Sequence, residues 1–348
     1  MKTLVPFLLS TSALVGFVYS CSPSSPSGDA YTFALNSPCY DTLYFSQIGD
    51  SISYISLKGA ETNLIQEYSD LIVSDDYVMV IDLLQGCVWI FDREGNYLNC
   101  LNHLGHGHGE YVKLSQVEYD ETTRQILVLD CMESSVLHYD VQGNFLSKEV
   151  LKEVYATDFK LSGSHYVLSF LGSRNFVSGV FLYDRQSQTR QKVVGKVDDI
   201  PWNDNWELCS WGDTVGVMAP PLQNTLYHIR GGEVVDSVFI NVPRSNRVYN
   251  YTDNSFEYDD WNRSAYFEGP TWLWVRFWKY EEPHQRIQNY FVNKRTHQVI
   301  SGGMNIVNDI DHVAWSRAVS YTEGNVFTFI TQGQDGLHPA VQFLHLKY

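Results

Sequence analysis

The chain is poor in positive charge. Its 348 residues carry 24 Lys and Arg against 40 Asp and Glu, a formal net charge of −16, and a surface of that sign repels nucleic-acid phosphates. Only 18% of the residues are charged and 44% are hydrophobic, so the chain has enough apolar side chains for a large core. The composition therefore excludes a nucleic-acid-binding protein and a disordered one.

The sequence also lacks long helical stripes and familiar catalytic motifs. No segment longer than about 12 residues sustains helical periodicity, which excludes folds that alternate strands with helices. The hydrolase nucleophile elbow, the His-Glu-x-x-His zinc motif, the phosphate-binding loop and the dinucleotide fingerprint are all missing. Aromatic residues reach 14%, a composition that favours half-buried strands.

The N-terminus has the pattern of an export signal. Lys2 precedes an apolar run that ends near Val18, and this run is shorter than the roughly 20 residues of a membrane span. Ser20 and Cys21 end the run as in a bacterial lipobox, which predicts cleavage after residue 20 and lipid attachment to Cys21. The alternative is an ordinary secreted protein in which Cys21 pairs elsewhere.

Residues 21–38 are predicted to be a flexible tether and residues 39–348 the folded body. The tether is rich in Ser and Pro and has little apolar content to bury. No later run approaches 18 apolar residues, so the lipid on Cys21 is the expected membrane contact. Five further cysteines are an odd number, so they cannot all pair with one another. Cys87 and Cys100 are placed to meet across adjacent strands, but buried free thiols are the favoured interpretation.

Two segments of the body repeat each other. Residues 80–98 align with residues 128–146 without a gap, with seven of 19 positions identical at an offset of 48. Each copy contains a strand that ends in Asp, a turn, a second strand that ends in aromatic-Asp, and a Gly-Asn turn into a third strand. Four later segments match the second strand of this pattern more weakly. They are Val180–Asp184, Thr225–Ile229, Asn289–Asn293 and Val341–His345.

Six such units, spaced 44 to 63 residues apart, predict an all-β fold that is a six-bladed β-propeller with four-stranded antiparallel blades. The segment Tyr40–Leu57 has strand character and precedes the first unit, so we expect it to complete the last blade and close the ring. Residues 241–265 form the longest irregular stretch, and stretches of this length are commonly functional.

These residues resemble a known family. Ser53–Leu57, the turn Phe91–Gly95, the run Gly105–Tyr111 and the segment Asn308–Asp311 are similar to those of six-bladed β-propeller lipoproteins of Bacteroides-type bacteria, relatives of the NHL-repeat propellers. That family has Gly-x-Gly-Pro-Gly-Glu-Tyr at the blade junction, and His108 stands here where proline is usual. The resemblance implies the propeller fold and a location in the cell envelope, and it implies little about function.

A Gly-rich loop holds the only clustered histidines. His103, His106 and His108 lie within six residues, and Glu110 follows them, so these four side chains are the candidate ligands for a divalent metal. The competing interpretation is stronger, because the same residues belong to the blade-junction motif and their spacing is loose for a metal site.

Tryptophans are concentrated in the second half of the chain. Trp272, Trp274, Arg276 and Trp278 alternate along one predicted strand and share one face of it. Since blades bury both faces of their strands, core packing is favoured over a binding surface for these tryptophans. For Trp202, Trp206 and Trp261, in polar loops, packing and ligand binding are equally favoured.

The sequence therefore predicts a lipid-anchored propeller in a Gram-negative envelope, on the outer membrane, that serves as a binding or scaffold module for a glycan, peptide or protein. No cofactor is predicted. The alternative is a metal-dependent lyase or a lactonase-like hydrolase with its site at the channel mouth. The candidate ligand-binding residues are Trp202, Trp206, Arg244, Arg247, Tyr249, Tyr251, Trp261 and Arg276.

Overall fold

The protein is a six-bladed β-propeller. A computed structural model describes residues 30–32, 42–59, 65, 70–151, 155–170, 179–194, 206–218, 225–241, 248–250, 255–257, 262–281, 284–314, 317–322, 326–332 and 339–348. Six sheets form the blades, each built on four antiparallel strands that are consecutive in the chain except in blade 6, and this confirms the predicted fold class.

The elements follow the chain order of a propeller. Before the first blade lie β1 (Ala30–Thr32), β2 (Leu43–Tyr44), the helix α1 (Phe45–Ile48) and β3 (Gly49–Ser56). Blade 1 contains β4 (Asp70–Val73), β5 (Tyr77–Asp82), β6 (Cys87–Asp92) and β7 (Tyr97–Leu101). Blade 2 contains β8 (Gln116–Asp120), β9 (Gln125–Asp130), β10 (Ser135–Tyr139) and β11 (Phe145–Val150). Blade 3 contains β12 (Asp158–Ser162), β13 (His165–Phe170), β14 (Gly179–Asp184) and β15 (Thr189–Val194).

The second half repeats this order. Blade 4 contains β16 (Glu207–Trp211), β17 (Thr214–Met218), β18 (Thr225–Arg230) and β19 (Glu233–Asn241). A separate hairpin of β20 (Val248–Asn250) and β21 (Ser255–Glu257) follows. Blade 5 contains β22 (Asn262–Glu268), β23 (Trp272–Glu281), β24 (His284–Asn293) and β25 (Val299–Gly302). After β26 (Ile306–Val307), blade 6 contains β27 (Arg317–Thr322), β28 (Val326–Gln332) and β29 (Pro339–Leu346).

Aspartate side chains stabilise the turns that recur in the sequence repeat. At the end of β6, Asp92 Oδ1 accepts from the backbone N–H groups of Glu94 at 3.0 Å and Asn96 at 2.8 Å. At the end of β10, Asp140 Oδ1 accepts from the N–H of Asn144 at 2.8 Å. A short acceptor at this place satisfies backbone donors that the tight turn leaves open, which is why both copies carry it.

The N-terminal strand closes the ring. β3 pairs antiparallel with β29 from Ala340↔Ser56 to Leu346↔Gly49 and so supplies the fourth strand of blade 6. The Tyr54 hydroxyl donates to Asp311 Oδ2 at 2.5 Å, and the Ser46 N–H donates to Asp309 Oδ1 at 2.9 Å. The predicted closure by Tyr40–Leu57 is confirmed.

The core lies between the blades. One cluster joins Met79 and Ile90 of blade 1 to Val117 and Val128 of blade 2, and four further clusters join the other neighbouring blades. Since the middle strands of a blade contact a neighbouring blade on each side, both of their faces are apolar. In β9, for example, Ile126 to Leu129 are consecutive and all fully buried. These strands therefore read as continuous apolar runs.

Three residues of the predicted tether form a strand. β1 pairs parallel with β19 and adds a fifth strand to the outer edge of blade 4. The signal segment 1–20 and Cys21 lie outside the described residues. Within the described ranges the helix α1 has four residues, so none of the helices there has the length and apolar character to cross a bilayer.

The four described cysteines form no disulfide with one another. Cys87 and Cys100 do meet across β6 and β7, and a hydrogen bond between their thiols, together with burial, raises the pKa of Cys87. The interpretation of Cys87 as a buried thiol is confirmed, and Cys39 lies outside the described residues.

Gly95 provides a test of the blade junction. It lies in the left-handed region at φ +80°, and a Cβ placed on it would come 2.0 Å from the Ser56 carbonyl oxygen of the closing strand. Gly163 has a similar φ of +57°, but a Cβ there would meet nothing within 4 Å. Gly163→Ala should cost about 1–2 kcal/mol of unfolding free energy from backbone strain alone.

We expect Gly95→Ala to cost clearly more than Gly163→Ala, because the closing strand must also move. Urea unfolding of both variants and the wild type, followed by circular dichroism, measures the difference. Equal losses in the two variants would contradict the tight contact between blade 1 and β3.

Candidate ligand-binding channel

The inner strands of the blades line a central channel. In each blade the first strand faces the axis, and contacts between neighbouring first strands run around the ring, for example β8 with β12 and β12 with β16. Alternate residues of these strands point to opposite sides. In β8, Val117 packs in the core between blades 1 and 2, whereas Gln116 and Glu118 line the channel.

Equivalent register positions place side chains from different blades at the same depth. The inner-strand residues that pair with the fifth residue of each second strand form a first tier, and the residues two positions later form a second tier. The first tier consists of Asp70, Gln116, Asp158, Glu207 and Ala265, which pair with Ile81, Leu129, Ser169, Met218 and Arg276 of the second strands. The second tier consists of Ile72, Glu118, Lys160, Cys209 and Phe267.

The first tier is polar and acidic. The Gln116 Nε2 amide donates to Asp158 Oδ1 at 3.1 Å and so connects blade 2 to blade 3. Burial raises the pKa of Asp158 above its ordinary value, and the opposing effects of the Lys160 charge and the Gln116 hydrogen bond do not cancel this. A carboxylate in this position is stabilised by a cationic or hydrogen-bond-donating group.

The second tier holds an ion pair. The Lys160 ammonium group donates to Glu118 Oε1, and both side chains are largely enclosed. Burial lowers the pKa of Lys160, but the charges of Glu118 and Asp158 outweigh burial and raise it. Burial raises the pKa of Glu118, and Lys160 offsets only part of that increase. Lys160 therefore stays protonated at neutral pH and is a donor, not a base.

The cavity around these tiers is about 1400 Å³. It is lined by residues of blades 1 to 5 and extends to Ser53 and His345 of blade 6. Among the described lining residues, carboxylates outnumber the cations Arg93 and Lys160. The carboxylates are Asp70, Asp75, Glu118, Glu121, Asp158 and Glu207.

Two buried donors at the cavity wall have no hydrogen-bond partner in the described part of the chain. They are the Trp206 indole N–H, on a side chain that is 2% exposed, and the Tyr119 hydroxyl, on a side chain that is 8% exposed.

A second polar cluster lies between blades 4 and 5, behind the channel wall. The fully buried Glu268 carboxylate accepts from Lys294 Nζ at 2.7 Å, lies 3.0 Å from His228 Nε2 and accepts from the Tyr266 hydroxyl. Burial alone raises the pKa of Glu268, but His228 and Lys294 outweigh it and hold the pKa below its ordinary value. With its charge compensated on all sides, this carboxylate is structural.

Of the predicted ligand-binding residues, Trp206 is buried in the core between blades 3 and 4, and part of the residue borders the cavity. Arg276 is packed inside blade 5, where its guanidinium lies 5.2 Å from the Trp274 ring and Nε donates to Asn289 Oδ1 at 3.1 Å. Tyr249 has its backbone in β20, so part of the stretch 241–265 is a hairpin and not irregular. The remaining candidates lie outside the described residues. They are Trp202, Arg244, Arg247, Tyr251 and Trp261.

The strand tryptophans belong to the core. Trp272 and Trp274 are each 1% exposed, and Trp274 stacks on Phe291 with ring centroids 4.9 Å apart. The Trp272 indole N–H donates to the Lys347 carbonyl oxygen at 2.6 Å. The preference for core packing over a binding surface is confirmed for these two residues.

The described side chains of the histidine loop contact aromatic rings and the loop backbone. His103 stacks on Tyr139 at 5.3 Å, His108 packs edge-on against Phe145 at 4.9 Å, and Glu110 accepts from the Gly107 N–H at 2.7 Å. Across the described ranges, no group of three or more His, Cys, Asp or Glu side chains is placed to hold a metal ion. The site formed by His103, His106, His108 and Glu110 remains a prediction.

Sequence reasoning missed the two tiers. Their signal was nevertheless present, because Gln116–Asp120 and Asp158–Ser162 alternate polar and apolar residues, while the middle strands are continuously apolar. In a propeller the inner strand alone has one face toward the channel, so this period of two marks the channel side.

Comparison with known proteins identifies the family. A family model described as a domain of unknown function, DUF4934, matches residues 31–335. The chain belongs to the DUF4934 family. Curated protein sequences give no match to this DUF4934 chain.

Two solved structures are similar to this DUF4934 propeller. A Bacteroides fragilis protein described as exported has 13% identity and a TM-score of 0.69, over 92% of this chain and 99% of that one. A Bacteroides vulgatus member of a second family, DUF4221, has 8% identity and a TM-score of 0.56, over 86% of this chain and 97% of that one. At these identities the similarity shows the fold alone.

The Glu268 cluster makes a prediction about acid stability. Because the folded-state pKa of Glu268 is lowered, its stabilisation is present above the ordinary pKa of 4.5 and is lost as the pH falls below that value. Glu268→Gln should lose about 3–5 kcal/mol at pH 7, since it breaks a buried ion pair, and should then lose less than the wild type on acidification.

Urea midpoints at pH 7, 5 and 3.5 measure this effect. Glu94→Gln, at an exposed turn, is the matched control and should follow the wild type throughout. An unchanged pH profile in Glu268→Gln would show that the cluster does not set the acid stability.

Proposed function

We propose that this DUF4934 protein is a binding module of the Gram-negative cell envelope whose ligand, a glycan, a peptide or a segment of a protein, enters the central channel. The observation that supports this most directly is the cavity of about 1400 Å³ with a polar first tier and an ion pair between Lys160 and Glu118 in the second tier. Ligand pockets are typically of about 300–1000 Å³ with a few convergent polar groups, so the channel has room for a ligand of that size.

The chemistry of the tiers favours recognition over catalysis. Lys160 is held by Glu118 and stays protonated, so it is not a nucleophile, and Gln116 fixes the orientation of Asp158. Such mutually oriented donors and acceptors bind a ligand in a defined pose without reorganising.

The position of β1 is compatible with an anchored protein. β1 lies on the outer edge of blade 4, at the outer wall of the ring and away from the channel. A lipid on Cys21 would therefore hold the propeller to an outer-membrane leaflet while the channel mouth stays accessible. The apolar run before Cys21 and the exported relative support this location.

The anchor is tested by fractionation. We expect the wild-type protein in the membrane fraction and Cys21→Ala in the soluble envelope fraction, because the thiol of Cys21 carries the lipid. Cys39→Ala is the matched control, a cysteine close by in the sequence, and it should stay with the membranes. Membrane retention of Cys21→Ala would contradict lipid anchoring at this residue.

The channel is tested by blocking it. Ala265, in the first tier, is replaced by Trp, and Ser51→Trp on the exposed outer strand β3 is the control. Glycan and peptide arrays are probed with the wild type and both variants after thermal unfolding has shown that all three fold. Ligands of the wild type should be lost by Ala265→Trp, by at least tenfold in affinity, and kept by Ser51→Trp. Binding that survives in Ala265→Trp would place the ligand outside the channel.

A further inference from the structure

Two thiols of blade 1 lie in contact with each other. Cys87 begins β6, and Cys100 lies on β7, where its partner in the ladder is Trp89. Because side chains alternate along a strand, Cys87, Trp89 and Cys100 share one face of the blade. The hydrophobic cluster that contains Cys87 and Trp89 has Cys100 packed against it. The two thiols are therefore diagonal neighbours across the β6–β7 pair, within hydrogen-bonding reach of each other.

The two thiols differ in accessibility. Cys87 is 2% exposed, whereas Cys100 is half-buried. The hydrogen bond to Cys100, together with burial, raises the pKa of the Cys87 thiol, so Cys87 stays protonated. A reagent in solution therefore meets Cys100 first, and Cys87 is held next to it as a second thiol.

Two other described cysteines have different surroundings. Cys131 follows β9 in blade 2, and Cys209 lies on β16 in blade 4. The Cys209 thiol is 8% exposed and donates to the Glu268 carbonyl oxygen at 3.1 Å. Neither cysteine belongs to the cluster that holds Cys87, so both are internal controls for the reactivity of that cluster.

The pair lies where the ring closes. The cluster around Cys87 also contains Phe343 of β29, so this face of blade 1 packs against blade 6. The chain that follows β3 bonds to the start of β7. The Lys58 N–H donates to the Gly95 carbonyl oxygen at 2.7 Å, and the Tyr97 N–H donates to the Lys58 carbonyl oxygen at 2.9 Å. β7 therefore connects the closing segment to β6, and a covalent bond between β6 and β7 would fix this connection.

We propose that Cys87 and Cys100 are a redox-active pair, which thiol–disulfide exchange converts into a disulfide that fastens β7 to β6 where the ring closes. The oxidant is an exogenous disulfide, which an exported chain meets in the oxidising bacterial envelope. The proposal is independent of what the channel binds.

The exchange takes two steps. The Cys100 sulfur, after losing its proton to water, attacks one sulfur of the exogenous disulfide, whose S–S bond breaks and whose other sulfur leaves as a thiolate. The Cys87 sulfur then attacks Cys100 Sγ in the mixed disulfide, and the second leaving sulfur takes the Cys87 proton. The two cysteines thus lose two electrons, which reduce the exogenous disulfide to two thiols.

Oxidised glutathione supplies the disulfide in the test, on the purified full chain carrying Cys21→Ala. After incubation the remaining thiols are blocked with N-ethylmaleimide in urea, and trypsin cleaves at Arg93 between the two cysteines. Mass spectrometry should find the two peptides joined through Cys87 and Cys100, about 2 Da lighter than their sum, because two hydrogens are lost. Recovery of both cysteines with maleimide attached, or of Cys100 as a lasting glutathione adduct, would overturn the proposal.

Single substitutions assign the two roles. Cys87→Ser should leave a stable glutathione adduct on Cys100, because the second thiol is missing, whereas Cys100→Ser should leave the buried Cys87 unmodified. Cys131→Ser and Cys209→Ser are the matched controls and should form the link to the same extent as the wild type. Loss of the link in either control would contradict the assignment. Cys87→Ala replaces Cys87→Ser if circular dichroism shows that serine in the core prevents folding.

Urea unfolding of the oxidised and reduced protein measures the effect on the ring. We expect a higher urea midpoint for the oxidised protein, because the bond restricts the unfolded chain between residues 87 and 100, and dithiothreitol should reverse the shift. Cys100→Ser should have the same midpoint under both conditions. Equal midpoints for linked and reduced protein would show that the bond does not fasten the ring. No channel ligand enters these measurements, so their failure leaves the proposed binding function standing.

Discussion

Closure of the ring by β3 is the constraint on which the rest of the molecule depends. β3, near the start of the folded body, pairs with β29 near the C-terminus over a sequence separation of nearly the whole domain and gives blade 6 its fourth strand. Once the ring is closed, the inner strands cannot spread apart, and the channel has a fixed width. The bonds from Tyr54 to Asp311 and from Ser46 to Asp309 hold the closing segment at both ends.

The packing between the blades also determines which side chains line the channel. In β12, Phe159 is fully buried between blades 2 and 3, and its neighbours Asp158 and Lys160 are thereby directed to the axis. The apolar residues fix the polar ones, because a shift of one residue would bury Lys160 between the blades and expose Phe159. The geometry of the two tiers is therefore determined by the hydrophobic core and does not depend on the charges themselves.

The two polar clusters differ in how completely neighbouring groups compensate the buried carboxylate. Around Glu268 the acid is matched by Lys294, His228 and Tyr266, and its pKa is lowered. Around Asp158 the acid has Gln116 and the more distant Lys160, and its pKa is raised. The first cluster is complete as it stands and stabilises the contact between blades 4 and 5. The second retains an electrostatic cost, because burial of the Asp158 carboxylate is only partly compensated.

The sequence by itself determined the local units and their number. The Asp-ended strands and Gly-Asn turns depend on contacts within a few residues, so the turn roles of Asp92, Asp140 and Gly95 could be predicted from the sequence. Six such units implied a closed ring. The channel was different, because its tiers combine residues some 40 or more positions apart, and only the inter-blade register places Asp70 beside Asp158 and Glu207 at one depth. Tertiary packing also decided the places of the expected aromatic and cationic contacts: Arg276 lies against Trp274 in blade 5, and Trp206 is buried in the core between blades 3 and 4.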